Sequence, residues 1–271
     1  MALIMAVVLI TPAGAAKTDC REPSGKARSV ARVLDGETVV LGGGTELRLT
    51  GALAPRAFDS ATEASIWPPA DLARATLESL LLGRTITIRP PSGRATDRYG
   101  RLLAQAFVAA PDDRMLWVQE EMVRRGAARA YAPVGEEHCL AALIEAENTA
   151  RAGKVGLWRE AAYAVRPASD IPTLLRLEGT FQIVEGRVHQ VSPRRTLVYV
   201  NFDQDWRRDF TILARGRALR AIQAEGLDLA KLQGRRVRVR GWIMRRGGPM
   251  IEIGHAAEVE LLDHATVDGS R

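Results

Sequence analysis

The stretch "GRRVRVRGWIMRR" sets Arg236, Arg238 and Arg240 alternately with Val237 and Val239. Successive strand side chains point to opposite faces, so the three arginines share one face and Trp242 falls on the same side. Cations with an aromatic ring on a barrel face are the ingredients of single-stranded nucleic-acid binding. The plainer reading is a half-exposed strand with its valines in a core and its arginines in water. Nearby, "NFDQDWRRDF" carries Trp206 and Phe210 by a strand end, where packing between two units is the expected use.

Two cysteines, Cys20 and Cys139, offer one disulfide if the chain is exported. The alternative is a buried thiol at Cys139 and a tail thiol at Cys20. Two thiols are too few for a zinc site, and the four histidines show no ligand spacing beside them. Export is expected from the opening "MALIMAVVLITPAGAAKTDC". The apolar run Ala2–Ile10 and then Ala13-Gly14-Ala15 have the pattern of a secretory signal peptide with its cleavage site, too short to span a bilayer. No Lys or Arg precedes the run, as an upstream start codon would explain. Lys17-Thr18-Asp19 do not suit a lipidated Cys20, so the mature chain is expected to be soluble, periplasmic or secreted, with no transmembrane span.

The 271 residues have room for one large domain or two small ones, and 46% hydrophobic with 26% charged residues is the balance of a globular protein. The net charge of +6 favours polyanionic partners such as DNA, RNA, acidic lipid or polysaccharide, although a mildly basic exported protein needs none.

The elements that would position these residues follow from periodicity. "SVARVLDGETVVLGGGTELRLTGALAP" alternates apolar and polar residues around a Gly42-Gly43-Gly44 turn, the start of a β-meander. Residues 69–82 set Leu72, Ala75, Thr76, Ser79 and Leu80 at helical spacing, ended by Gly83, and strands follow in "RTITIRP" and "RLLAQAFVA". "LWVQEEMVRRGAARAY" is read as a helix stopped near Gly126, and "EEHCLAALIEAENTARAGKVGLW" as a second with Leu140, Leu143 and Ile144 on one face. "PASDIP" reads as a linker. Beyond it come three strands, a helix over about 214–225 and two more strands, the element order of a five-stranded OB-type barrel. The expected fold is mainly β with α: two tandem OB-like barrels, the first with two extra C-terminal helices. The boundaries are a signal peptide at 1–16, an N-terminal segment at 17–28, barrels at 29–160 and 177–263, a linker at 161–176 and a tail at 264–271.

Four segments in order carry a family resemblance: "RVLDGETVVL", "LRLTGALAPR", "TDRYGRLLAQAFV" and "ARAGKVGLW". Over about residues 29–158 the chain resembles the staphylococcal nuclease (thermonuclease) family. The resemblance implies Ca2+-dependent hydrolysis of phosphodiester bonds in DNA and RNA. Such chemistry needs oxygen ligands for a hard cation, a carboxylate to orient or deprotonate water, and arginines to clamp the phosphate.

Carried over by position, the arginine clamp falls on Arg48 and Arg101, and the first metal carboxylate on Glu37. The second metal aspartate falls on Leu53, which offers no oxygen. The metal-binding backbone carbonyl falls on Ala54 and the general base on Arg56. Two of three carboxylates are thus replaced, and the expectation is a phosphate clamp without its metal, so no cofactor, or Ca2+ if the site is active. The function expected is nucleic-acid or polyanion binding. One alternative is an active endonuclease with a rearranged site, to which Asp59 or Glu63 would supply a carboxylate; another is a protein-interaction scaffold. Arg48 and Arg101 also have a purely structural reading, as ion-pair partners of Glu37 and Asp97.

Overall fold

The computed structural model describes residues 20–56, 67–91, 93–131 and 137–262. The expected signal peptide and tail, and the residues Asp59 and Glu63, lie outside these.

The chain begins with β1 (Lys26–Val33), β2 (Thr38–Leu41) and β3 (Glu46–Leu49), followed by the two-residue β4 (Ala52–Leu53). Gly43 and Gly44 both have positive φ, which lets the chain reverse tightly between β2 and β3. Helix α1 (Pro68–Leu81) starts with prolines, whose missing N–H costs nothing in the first turn. It buries Ala73, Leu77, Leu80 and Leu81, one face at helical spacing, and Gly83 follows it at φ 71°. Strands β5 (Thr85–Arg89), β6 (Leu102–Ala109) and the short β7 (Met115–Trp117) come next.

β1 pairs with β2, β2 with β3, β3 with β6 in parallel, β6 with β5 and β5 with β1. The circuit closes, giving a mixed α/β unit around a five-stranded barrel without free edges. Val39, Leu41, Leu47, Leu49, Ile86, Ile88, Ala104 and Ala106 alternate inward to fill it.

Helix α2 (Val118–Arg124), β8 (Arg129–Ala130, paired with β4) and α3 (Leu140–Ala152) complete the first unit. Leu116 and Trp117 belong to β7 and not to the helix the sequence suggests, because Phe107 and Val108 of β6 pair with them. Cys20 and Cys139 are joined in a disulfide with Cα atoms 5.5 Å apart. It closes a long loop, a constraint typically worth about 2–4 kcal/mol. Arg21 reinforces that attachment with two hydrogen bonds to the Glu120 carboxylate.

The stretch read as a linker is folded. β9 (Arg166–Pro167) pairs in parallel with β10 (Phe181–Arg187), and α4 (Ile171–Arg176) is capped by Asp170, whose carboxylate accepts the Thr173 N–H. The Pro, Ser and Asp that mark a linker are the same residues that start a helix. After β10 the chain runs into β11 (Gln190–Arg194), β12 (Leu197–Asn201), β13 (Thr211–Arg215), α5 (Gly216–Ala224), β14 (Arg236–Arg246), β15 (Gly248–Glu252) and β16 (Val259–Leu261). The sheet order is β11-β12-β13-β15-β14-β10-β9, with β16 also on β14. A second core lies against it, with Val200, Phe210, Ile212, Val237, Val239, Ile243 and Ile251 among its members.

Candidate functional site

The turn from β1 to β2 carries Asp35, Gly36 and Glu37. The Asp35 carboxylate accepts the Glu37 N–H at 2.8 Å, which pins the turn. A Cβ on Gly36 would come within 2.7 Å of the Cβ atoms of Ala73 and Ala54, so only glycine lets the turn sit on α1 and the loop after β4. That contact holds Glu37 at 3% exposure on the floor of an open cleft of about 860 Å3.

Arg48, projecting from β3 beside Thr38 of β2, reaches Glu37 Oε1 at 3.1 Å. Arg56 reaches the same oxygen at 2.9 Å. Glu37 Oε2 is buried with no hydrogen-bond partner among the described residues. Arg101 enters from the start of β6, its Nε donating to Asp97 Oδ2 at 2.7 Å. The other Asp97 oxygen accepts the N–H groups of Tyr99 and Arg101. Burial opposes ionisation of Asp97, but these donors, Arg101 foremost, hold its carboxyl below the usual aspartate range. Among the described residues the terminal nitrogens of Arg101 have no hydrogen-bond partner, and the side chain lines the cleft.

Glu37, Arg48, Arg56 and Arg101 are therefore brought together. Residue-by-residue matching did not pick out Arg74 of α1, or Arg94 and Arg98 of the β5–β6 loop, which line the same cleft. The guanidinium of Arg98 lies 4.7 Å from the ring centroid of Tyr99, which is 67% exposed at the rim. Among the described residues that line the cleft, six arginines face four carboxylates, those of Asp35, Glu37, Asp71 and Asp97. The "GRATDRYGR" composition could have signalled the Arg94 and Arg98 pair, whereas Arg74 required the fold.

Residues 46–160 match the family model described as staphylococcal nuclease homologue. The matched region starts at β3, so the Glu37 turn that completes the barrel and the cleft floor lies ahead of it. No curated protein matches the chain.

Whether this nuclease-like region could hold Ca2+ turns on its donors. The ion takes six to eight oxygens, several of them from carboxylates. Leu53 and Ala54 are buried and line no part of the cleft, and Leu53 pairs with Arg129 of β8. The carboxylate that remains, Glu37, already faces two guanidinium groups on one oxygen. Among the described residues the group of three His, Cys, Asp or Glu side chains close enough to share an ion is Cys20, His138 and Cys139, and its sulfurs form the disulfide. Among the described residues, the positions matched to the family's metal ligands do not make up the oxygen set that Ca2+ takes.

The arginine stripe on β14 keeps its period but not an open face. Arg240 is 1% exposed, and its Nη1 donates to Glu147 of α3 at 2.8 Å and to the Ala130 carbonyl at 3.2 Å. Its Nη2 donates to Glu260 at 2.8 Å. Arg240 is thus closed off from any nucleic acid, because α3 of the first unit covers that end of the strand. Arg236 and Arg238 both pair with Glu185 of the neighbouring β10, and Trp242 stands edge-on to Phe181 at 5.8 Å. Phe210 is fully buried in the second core against Phe202, at 5.2 Å. Trp206 packs between no units; it is 58% exposed.

Proposed function

We propose that residues 29–160 form a phosphodiester-binding domain whose ligand is nucleic acid and whose arginines clamp phosphate without metal-assisted hydrolysis. The observation that carries this reading is the pairing of Arg48 and Arg56 with one oxygen of Glu37. It neutralises Glu37, and among the described residues that line the cleft cations outnumber anions. A polyanion complements that positive balance, and the terminal nitrogens of Arg101, without a hydrogen-bond partner among the described residues, can donate to it. The match to a nuclease family supports the class of ligand.

The continuous run from β10, paired with β14, into β11, paired with β12, supports a second OB-like barrel over 177–263. The leader pattern at 1–16 and the disulfide support export to an oxidising compartment.

The deciding experiment is a fluorogenic cleavage assay on single-stranded DNA and RNA with Ca2+, Mg2+, Mn2+ or EDTA, run beside fluorescence anisotropy across a salt series. The expected result is binding without cleavage. Arg48→Ala or Arg101→Ala should flatten the log–log salt slope by about 0.7 for each phosphate that is no longer neutralised. Metal-dependent cleavage abolished by the same substitutions would establish an active nuclease with a relocated carboxylate.

A further inference from the structure

The second sheet borders a cavity that shares no lining residue with the cleft and differs from it in character. Ser192 and Arg194 alternate along β11, Tyr199 and Asn201 along β12, and they border a cavity of about 750 Å3. Trp206 and Arg207 of the β12–β13 loop and Arg246 of the β14–β15 turn form its rim. Among the described residues no acidic side chain lines it, and Arg194, Arg207 and Arg246 form no ion pair. Arg236 and Arg238, elsewhere on β14, both pair with Glu185, and Arg238 also with Glu260. Three cations without an acidic partner are thus gathered around two accessible rings.

The rim is built rather than loose. Asp209, buried at the end of the β12–β13 loop, accepts the N–H groups of Phe202 and Asp203 at 2.7 and 3.0 Å and the Thr211 hydroxyl at 3.1 Å. Those bonds tie the base of the loop that projects Trp206. A Cβ on Gly248 would lie 2.1 Å from the Asp209 carbonyl oxygen, and one on Gly247 would lie 2.8 Å from that of Arg207. The β14–β15 turn therefore presses backbone to backbone on the loop, which fixes Arg246 beside Arg207 and Trp206. The Arg207 guanidinium sits 4.7 Å from the Trp206 ring centroid. An exposed tryptophan backed by a cation, on a held loop, presents a flat apolar surface with positive charge at its edge.

We propose that this face is a second binding site, taking single-stranded nucleic acid. Bases stack on Trp206 and Tyr199, and Arg194, Arg207 and Arg246 meet the phosphates on either side. None of these residues belongs to the Glu37 cleft, so either site can be disabled without the other. An unstacked strand, not a duplex, is the occupant, because the rings need a free base face.

The test uses the full chain and a fluorescein-labelled oligothymidylate, with inorganic polyphosphate as a ligand that has charge but no bases. All variants are made both in the natural sequence and in an Arg48→Ala/Arg101→Ala background that disarms the first cleft. Trp206→Ala is expected to weaken oligothymidylate binding by at least roughly 5-fold in both backgrounds, the effect of unstacking one base. Trp206→Phe restores most of the affinity, and Arg246→Ala flattens the salt slope by about 0.7. Polyphosphate binding is expected to be indifferent to Trp206→Ala. Trp206 and Arg246 are exposed, so neither substitution reaches the core, and circular dichroism checks the fold. Unchanged oligothymidylate affinity in both Trp206→Ala and Arg246→Ala overturns the proposal. So does loss of all binding in the Arg48→Ala/Arg101→Ala background, an outcome that leaves the first cleft intact as a site. Polyphosphate bound as tightly as oligothymidylate in the Arg48→Ala/Arg101→Ala background likewise overturns it, in favour of a simple polyanion patch.

Discussion

Arg56 Nη2 lies 2.9 Å from Glu37 Oε1, so a residue at the place of a catalytic base is tied to one at the place of a metal ligand. With Arg48 on the same oxygen, the Glu37 carboxylate is held by two cations. The arrangement pairs Glu37 Oε1 while Oε2 has no partner among the described residues, and it occupies two of the guanidinium groups a phosphate would use.

Removing that competition should therefore help the ligand. Glu37→Gln is expected to raise affinity for single-stranded DNA by about tenfold, the scale of one hydrogen bond to a charged group. Anisotropy titration measures it. Weaker binding would mean that Glu37 orients the arginines, and would count against the clamp.

Restoring the family's carboxylates should restore the ion. In the Leu53→Asp/Arg56→Glu double variant, calorimetry with Ca2+ is expected to show saturable heat, with only heats of dilution for the natural sequence. Burying a carboxylate at position 53 costs stability in the absence of metal, so the melting temperature of the double variant should rise on adding Ca2+. Equal Ca2+ binding by the natural chain would show that other oxygens complete its site.

Arg240 joins the two units through Glu147, with both side chains essentially inaccessible. Glu147 also accepts the Ala130 N–H at 2.8 Å, so its charge is needed on both sides. Arg240→Met should destabilise the chain by about 3–5 kcal/mol, because Glu147 keeps its charge in a buried place. Urea unfolding followed by tryptophan fluorescence gives the value. The double variant Arg240→Met/Glu147→Gln should recover a large part of the loss, and failure to recover would point to packing instead of charge.

Glu260 sets a pH dependence at the same junction. Burial pushes its carboxyl up, but Arg240, with Arg238 and Arg151 behind it, outweighs burial and holds the carboxyl below the usual glutamate range. A depressed folded-state pKa gives stability that is present above the unfolded value of about 4.3 and lost as pH falls through the folded one. Glu260→Gln should therefore lower stability at pH 7 and flatten its decline toward pH 3. Urea midpoints across that range test the slope; parallel curves for the two proteins would remove Glu260 from the acid response.

Much of the fold was legible because its signals are local. The triple-glycine turn, the alternation along β5 and the helix over 69–82 each depend on residues within a few positions of one another. The spacing misplaces the packed face of α1: Leu72, Ala75 and Ser79 are exposed, and Ala73, Leu77 and Leu81 join Leu80 in the core, because the barrel meets the helix from the other side. Cys20 and Cys139 were legible as a pair because two thiols allow one bond. Local signals also misled where one residue type serves two structures. Leu116 and Trp117 suit a helix start as well as a strand end, and Pro167, Asp170 and Pro172 suit a linker as well as a capped helix.

The site divides along the same line. Alternation placed Arg236, Arg238 and Arg240 on one side of a strand, but which side is covered depends on α3, whose Glu147 lies 93 residues before Arg240 in the chain. Arg56 was readable as the loss of a base; its attachment to Glu37 required the β1–β2 turn and the loop after β4 to meet across α1. Trp206 looked like packing material because large apolar residues usually are, until a buried Asp209 and a close-packed glycine turn set it on a rim beside unpaired arginines. Residue type and spacing decide which groups are available and which way a strand points them. Which groups meet, and whether water, a carboxylate or another layer lies opposite, is settled by long-range packing, since burial and charge pairing act through space and not along the chain.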